Sequence, residues 1–135
     1  MIWIVLFLSM IWLHIYDDYH TQGILAQFKQ KNWWKENYPQ DLYKHDWLIA
    51  LYEHAFQWSF TTMFPLLVYS FWIWMESGFY HGLTQWVGLL VINTEFHAEI
   101  DNEKANELTI SLFTDQILHI LQIGITIILF MIGVN

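Results

Sequence analysis

Three pairs of His and Asp stand four residues apart in this chain: His14 with Asp18, His97 with Asp101, and Asp115 with His119. On a helix, positions i and i+4 share one face and lie roughly 6 Å apart. An imidazole and a carboxylate that close suit a divalent ion such as Zn, Fe(II), Mn or Ni. One such pair is more often an i,i+4 hydrogen bond. Three of them, each at the end of an apolar run, point to a metal centre, and His54 on a fourth run adds another imidazole. The candidate ligands are therefore His14, Asp18, His54, His97, Asp101, Asp115 and His119. They exceed what one tetrahedral zinc takes and would suit two ions, as in four-helix bundles whose carboxylates and imidazoles project inward. Two ions a few ångströms apart can activate water and clamp the oxygens of an ester or phosphoester. Asp18, Asp101 and Asp115 are then the candidate catalytic carboxylates. Gln22, one turn after Asp18, and Gln116, beside Asp115, are candidates to hydrogen-bond the ligands or a substrate.

The segments that must carry these residues are apolar. Hydrophobic residues make up 56% of the 135-residue chain and aromatics 19%, with nine Trp, which is too rich for an ordinary soluble domain. The length suits a single domain over 1–135. Four runs are long enough, with their polar ends, to cross a bilayer, which takes about 20 residues. The expectation is an all-α, four-transmembrane-helix bundle, with helices at about 1–20, 46–75, 79–101 and 107–134. The first run lacks a basic start and a small-residue cleavage site, so it reads as a helix of the protein rather than a signal peptide. Gly23–Phe28, followed by Lys29–Trp34, reads as an amphipathic interfacial segment after helix one.

Charge orients the bundle. The chain has five Lys, no Arg and a formal charge of −8, which argues against nucleic acid as a partner. Lys29, Lys31, Lys35 and Lys44 follow helix one, and Lys104 follows helix three. Both loops fall on one side of a four-helix chain, the cytoplasmic side by the positive-inside rule. The partner is then the lipid bilayer, and the location a bacterial inner membrane. In this orientation every paired Asp is nearer the cytoplasm than its His, and His54 lies about two turns in from Trp47, at a comparable depth. Ionisable groups at one depth in a bilayer are costly unless paired or metallated. The chain has no Cys, which excludes disulfides, thiolate zinc and a cysteine nucleophile. His20 and His45 are expected in solvated loops, His81 on the far side, Glu53, Glu95 and Glu99 off the paired faces, and Asp17 about 100° away from Asp18. The Trp, Phe and Met faces read as lipid-facing packing.

These residues carry a resemblance. His14-Ile-Tyr-Asp-Asp18-Tyr19-His-Thr-Gln22, the Lys29–Trp34 segment, His54, His97-Ala-Glu-Ile-Asp101 and Asp115-Gln116-Ile-Leu-His119 together resemble the small prokaryotic and phage membrane proteins grouped as domain of unknown function 3307. The pattern runs from residue 14 to residue 119. That family is similar to predicted membrane-bound metal-dependent hydrolases, which implies metal chemistry without naming a substrate. The chain departs from the pattern in its Trp content, and in Asn102 and Glu103, where a basic residue often stands. The leading expectation is a binuclear hydrolase, holding Zn, Mn or Fe and acting on a lipid or lipid-linked ester or phosphoester from the cytoplasmic leaflet. The alternatives are a metal or proton transporter using the same cluster, a di-iron oxidase, and a phage membrane protein merely stapled by metal.

Overall fold

The computed structural model describes residues 1–78 and 81–134, and these are helical throughout apart from turns, with no strand among them. Six α-helices follow in order: α1 Ile2–Tyr16, α2 Leu25–Phe28, α3 Lys31–Asn37, α4 Asp46–Ser77, α5 His81–Asn102 and α6 Leu112–Val134. Two π-helical turns, Asp17–Thr21 and Glu103–Glu107, extend α1 and α5. The expected helix start at Phe79 falls outside the described residues.

The four long helices form one bundle. α4 packs most extensively on α5, α5 on α6, and α1 against both α4 and α6. The inward stripes keep helical periodicity. On α1 they are Leu6, Met10 and His14, and on α6 Asp115, His119, Ile123, Thr126, Ile127 and Phe130. On α6 the polar pair, and on α1 His14, is thus the continuation of the apolar core stripe. The main core gathers Met10, Trp58, Met63, Leu66, Trp86, Ile123 and Phe130, and a smaller cluster of Leu51, Ala55 and Ala98 lies at the other end of the same faces.

Element ends follow local chemistry. α4 stops at Gly78, whose φ of 68° is the left-handed conformation that glycine adopts freely, and its N–H donates to Trp74 O at 2.8 Å. α6 starts at Leu112, five residues after the expected 107. Ser111 caps it: its Oγ accepts the Thr114 N–H at 3.2 Å, and Leu108 turns the chain with φ 57°. The interfacial segment is two short helices and a turn rather than one stretch. Phe28, Trp33, Trp34, Tyr38 and Tyr43 pack ring against ring there, and the Trp34 indole donates to Phe28 O at 2.6 Å.

Among the described residues two stretches are long and apolar enough to cross a membrane, Ile2–Thr21 with mean hydropathy 1.3 and Leu112–Val134 with 2.4. Only 22% and 28% of their most apolar windows is buried in the bundle, so most of that hydrocarbon faces outward. α4 and α5 have the length, at 32 and 22 residues, but not the apolarity. Glu53, His54 and Gln57 interrupt α4, and Gln85, Asn93, Glu95, His97 and Glu99 interrupt α5.

Candidate metal centre

The loop end of the bundle brings the seven candidate ligands together. His14 is on the inward stripe of α1. Beyond it the π turn, closed by Gln22 N–H donating to Asp17 O at 3.1 Å, changes the face that follows. Asp17 is therefore buried rather than pointing away, and Asp18 is also inside, with its side chain 10% exposed. Asp17 joins no ligand, however. It accepts from Thr21 Oγ1 at 2.7 Å and from Gln57 Nε2 at 3.1 Å, which ties the π turn to α4.

Asp101 is the hub. Its Oδ2 lies 3.2 Å from His54 Nε2 and 3.6 Å from His97 Nε2, and its Oδ1 lies 3.7 Å from His119 Nε2. His54 Nε2 and His97 Nε2 are 3.2 Å apart. Around an ion with bonds of about 2.1 Å, the ligand atoms of a tetrahedron sit about 3.4 Å from one another. The spacings about Asp101 match that edge. Two groups of potential ligands come close enough to share an ion: Asp18, His54 and His97, and His97, Asp101 and His119. Asp115 Oδ1 reaches His119 Nε2 at 3.5 Å, and His14 Nδ1 reaches Asp18 Oδ2 at 3.6 Å.

Unpaired atoms test whether a cation fits. His14 Nε2, His119 Nε2 and Asp115 Oδ1 are buried with no hydrogen-bonding partner among the described residues. Each orphan of this kind costs about 1–3 kcal/mol, and an ion would relieve it at His119 Nε2 and Asp115 Oδ1; His14, whose Nδ1 accepts from Trp58, carries its proton at Nε2. The donor set, imidazole together with carboxylate, is one that could hold a metal ion.

The imidazoles are oriented by an indole, which sequence reasoning treated as packing. Trp58 on α4 stacks on His97 with ring centroids 4.1 Å apart, lies 5.3 Å from His119, and donates its Nε1–H to His14 Nδ1 at 2.9 Å. The outer Nδ1 atoms of His54, His97 and His119 have no hydrogen-bonding partner among the described residues. Metal-binding His rings are usually fixed by a hydrogen bond at that atom; here ring stacking replaces it for His97 and His119.

Two lysines enter the site from the loops. Lys29 Nζ is 2.6 Å from Asp101 Oδ2, with its side chain 9% exposed, and Lys104 Nζ is 3.0 Å from Asp115 Oδ2. Gln116 Nε2 donates to Asp18 Oδ2 and Asp115 Oδ2, both at 3.1 Å, and the Gln22 amide nitrogen stands 2.8 Å from His54 Nε2. A cavity of about 60 Å³ lies over the carboxylates, lined by Asp18, Tyr19, Gln22, Lys29, Asp101, Lys104, Leu112 and Gln116. No imidazole lines it. The carboxylates face the loops, and the imidazoles lie beneath them against Trp58 and the core.

The remaining candidates stay outside. Glu53, Glu95 and Glu99 are exposed, with Glu95 accepting from the Tyr52 hydroxyl at 3.0 Å. His20 stacks on Tyr16 at the surface, and His45 and His81 are exposed. Comparison of the chain with protein-family models, curated proteins and solved structures finds no match. The resemblance to the domain of unknown function 3307 family therefore rests on the quoted motifs alone.

Proposed function

We infer that the chain is a membrane-embedded, metal-dependent hydrolase whose site opens at the loop end of a four-helix bundle. The observation that carries the metal is the convergence of three Nε2 atoms, from His54, His97 and His119, on the two oxygens of Asp101. His97 belongs to both potential ligand groups, and one imidazole nitrogen has one lone pair to give. The side chains as placed therefore favour one ion, held by His54, His97, Asp101 and His119. Asp18 and Asp115 would be drawn in by a second ion, and His14 could join them only by giving up the Trp58 hydrogen bond at its Nδ1. A divalent ion there supplies Lewis acidity and lowers the pKa of water.

The protein's own groups supply the rest. Asp18, joined to the buried Asp115 through Gln116, lines the cavity and is placed to accept a proton from a water entering it. Beneath the imidazoles Met10, Trp58, Leu66, Ile123 and Phe130 are buried, and Tyr69, a titratable side chain beyond them, packs against Phe130. The polar groups Asn93, Gln122 and Thr126 there bond to one another. A site closed on one side favours chemistry over transit, because a transporter needs a path to both faces.

Membrane embedding is supported by the outer surface. Besides the two apolar spans, α4 shows Ile49, Phe56, Phe60, Phe64, Val68 and Phe71 outward, and α5 shows Val87, Val91 and Phe96. Apolar surface on all four helices exceeds what a soluble monomer exposes. All five lysines gather at one end of the bundle, as expected of a cytoplasmic side. The substrate class is a lipid or lipid-linked ester or phosphoester entering from that leaflet. Detergent-purified protein should cleave such substrates only with added divalent metal, and Asp101→Asn should abolish the cleavage. Metal-independent cleavage would overturn the hydrolase reading.

A further inference from the structure

The metal reading leaves the two lysines unexplained. An ammonium group on a ligand carboxylate competes with the ion that the carboxylate would bind. Lys29 and Lys104 each occupy one oxygen of a candidate ligand, Asp101 and Asp115. Charge makes the competition explicit. Three carboxylates face two ammonium groups, and the imidazoles must be neutral to ligate. One divalent ion beside both lysines leaves a small net charge, whereas two ions with both lysines in place would build a strong positive excess in a poorly solvated site.

The backbones that carry the lysines are fixed, so the side chains must do the moving. Asn106 holds both segments: its Nδ2 donates to Lys29 O at 3.1 Å, its Oδ1 accepts the Lys31 N–H at 2.7 Å, and it sits in the π turn that bears Lys104. Lys31 adds a 2.6 Å ion pair to Glu107 of the same turn. Released from their carboxylates, both Nζ atoms adjoin the cavity that Lys29 and Lys104 line together with Gln22, Gln116 and the carboxylates of Asp18 and Asp101. Once metal has neutralised those carboxylates, two ammonium groups and two side-chain amides around a volume with room for a few waters form a receptor for an oxyanion.

We propose that Lys29 and Lys104 are an exchangeable pair: Lys29 neutralises Asp101 until the first ion takes that carboxylate, Lys104 neutralises Asp115 until a second ion takes it, and both then bind a tetrahedral oxyanion, such as a phosphoryl group, in the cavity above the metal site. The proposal rests on the metal reading and adds the chemical class of the substrate group. It also orders events, with metal first and anion second.

The test uses full-length protein in detergent, with Mn²⁺ or Zn²⁺ and inorganic phosphate as probes. Metal affinity is measured for wild type, Lys29→Met and Lys104→Met, and phosphate affinity with and without metal. Removing a competing cation should tighten metal binding by at least about tenfold in either variant. Phosphate should bind wild type only when metal is present, and should bind both loaded variants at least about tenfold more weakly. Lys104, the more exposed of the two, provides the variant least exposed to folding failure, and Lys29→Arg should keep the phosphate response. Equal metal affinity in all three proteins overturns the exchange and leaves the metal reading standing. No metal bound by any of them overturns both. Competition by a short-chain phosphatidic acid at lower concentration than phosphate identifies a lipid headgroup as the source, and equal competition a free oxyanion.

Discussion

Trp58 lies nearly parallel to His97, with ring centroids 4.1 Å apart and planes inclined by 18°. The same indole donates its N–H to His14. One residue of α4 therefore sets ligand candidates on α5 and α1 at once. Trp58→Phe keeps a ring on His97 but removes the donor to His14. It should fold and keep affinity for the ion at Asp101 within about twofold, because His14 is not among that ion's ligands, whereas loss of the ring that stacks on His97, in Trp58→Ala, should weaken it by about tenfold. Trp58→Ala should in addition lower stability by about 3–5 kcal/mol through the cavity it leaves. Metal titration and unfolding in detergent separate the two effects.

Neighbouring carboxylates on the first π turn should behave differently. Asp17 is bonded to Thr21 and Gln57 and approaches no imidazole, whereas Asp18 falls within ligand distance of His54 and His97. Asp17→Asn should leave metal affinity within about twofold and cost about 1–2 kcal/mol of stability. Asp18→Asn should weaken metal binding with little change in stability. Equal effects on metal binding from both variants would remove Asp18 from the centre.

Asn106 should matter out of proportion to its type. It makes three side-chain hydrogen bonds, to Lys29 O, Lys31 N and Asn102 Oδ1, and these hold the first loop on the turn after α5. Asn106→Ala should expose Lys29 to amine-directed labelling, which its burial otherwise resists, and should lower stability by about 2 kcal/mol. Mass spectrometry of labelled peptides reads the first effect directly.

Acid should open the neighbouring latch. Lys31 beside Glu107 holds that carboxyl below its ordinary 4.5. A depressed folded-state value means that the contribution to stability is full at neutral pH and is lost as the pH falls through that depressed value. The pair is exposed, so the effect is small and screened by salt. Glu107→Gln should melt slightly below wild type at neutral pH and low salt. It should match wild type in about 1 M salt, where the Debye length is about 3 Å, and at low pH.

The helices and the ligand set were readable because each residue's neighbours lie within one turn. His14 with Asp18, and Asp115 with His119, needed only helical periodicity, and the same periodicity continued into the core stripes. What was not readable depends on contacts across the chain. The Lys29–Asp101 pair spans 72 residues, and nothing in the loop's composition separates Lys29 from the other lysines of the positive side. Nor does anything local mark Trp58 out among nine tryptophans. The π turn that buries Asp17 defeats a calculation at 3.6 residues per turn. Ser111, by contrast, was a legible cap, and reading it would have moved the start of α6 from 107 to 112.

The central claim is that an ion sits where His54, His97 and His119 meet Asp101. Anomalous diffraction from crystals of metal-loaded protein tests it most directly. The account predicts a peak within bonding distance of Asp101 and the three Nε2 atoms, absent in His97→Ala crystals grown with the same metal. Metal-loaded crystals with no peak there, and with Lys29 still on Asp101, would contradict it.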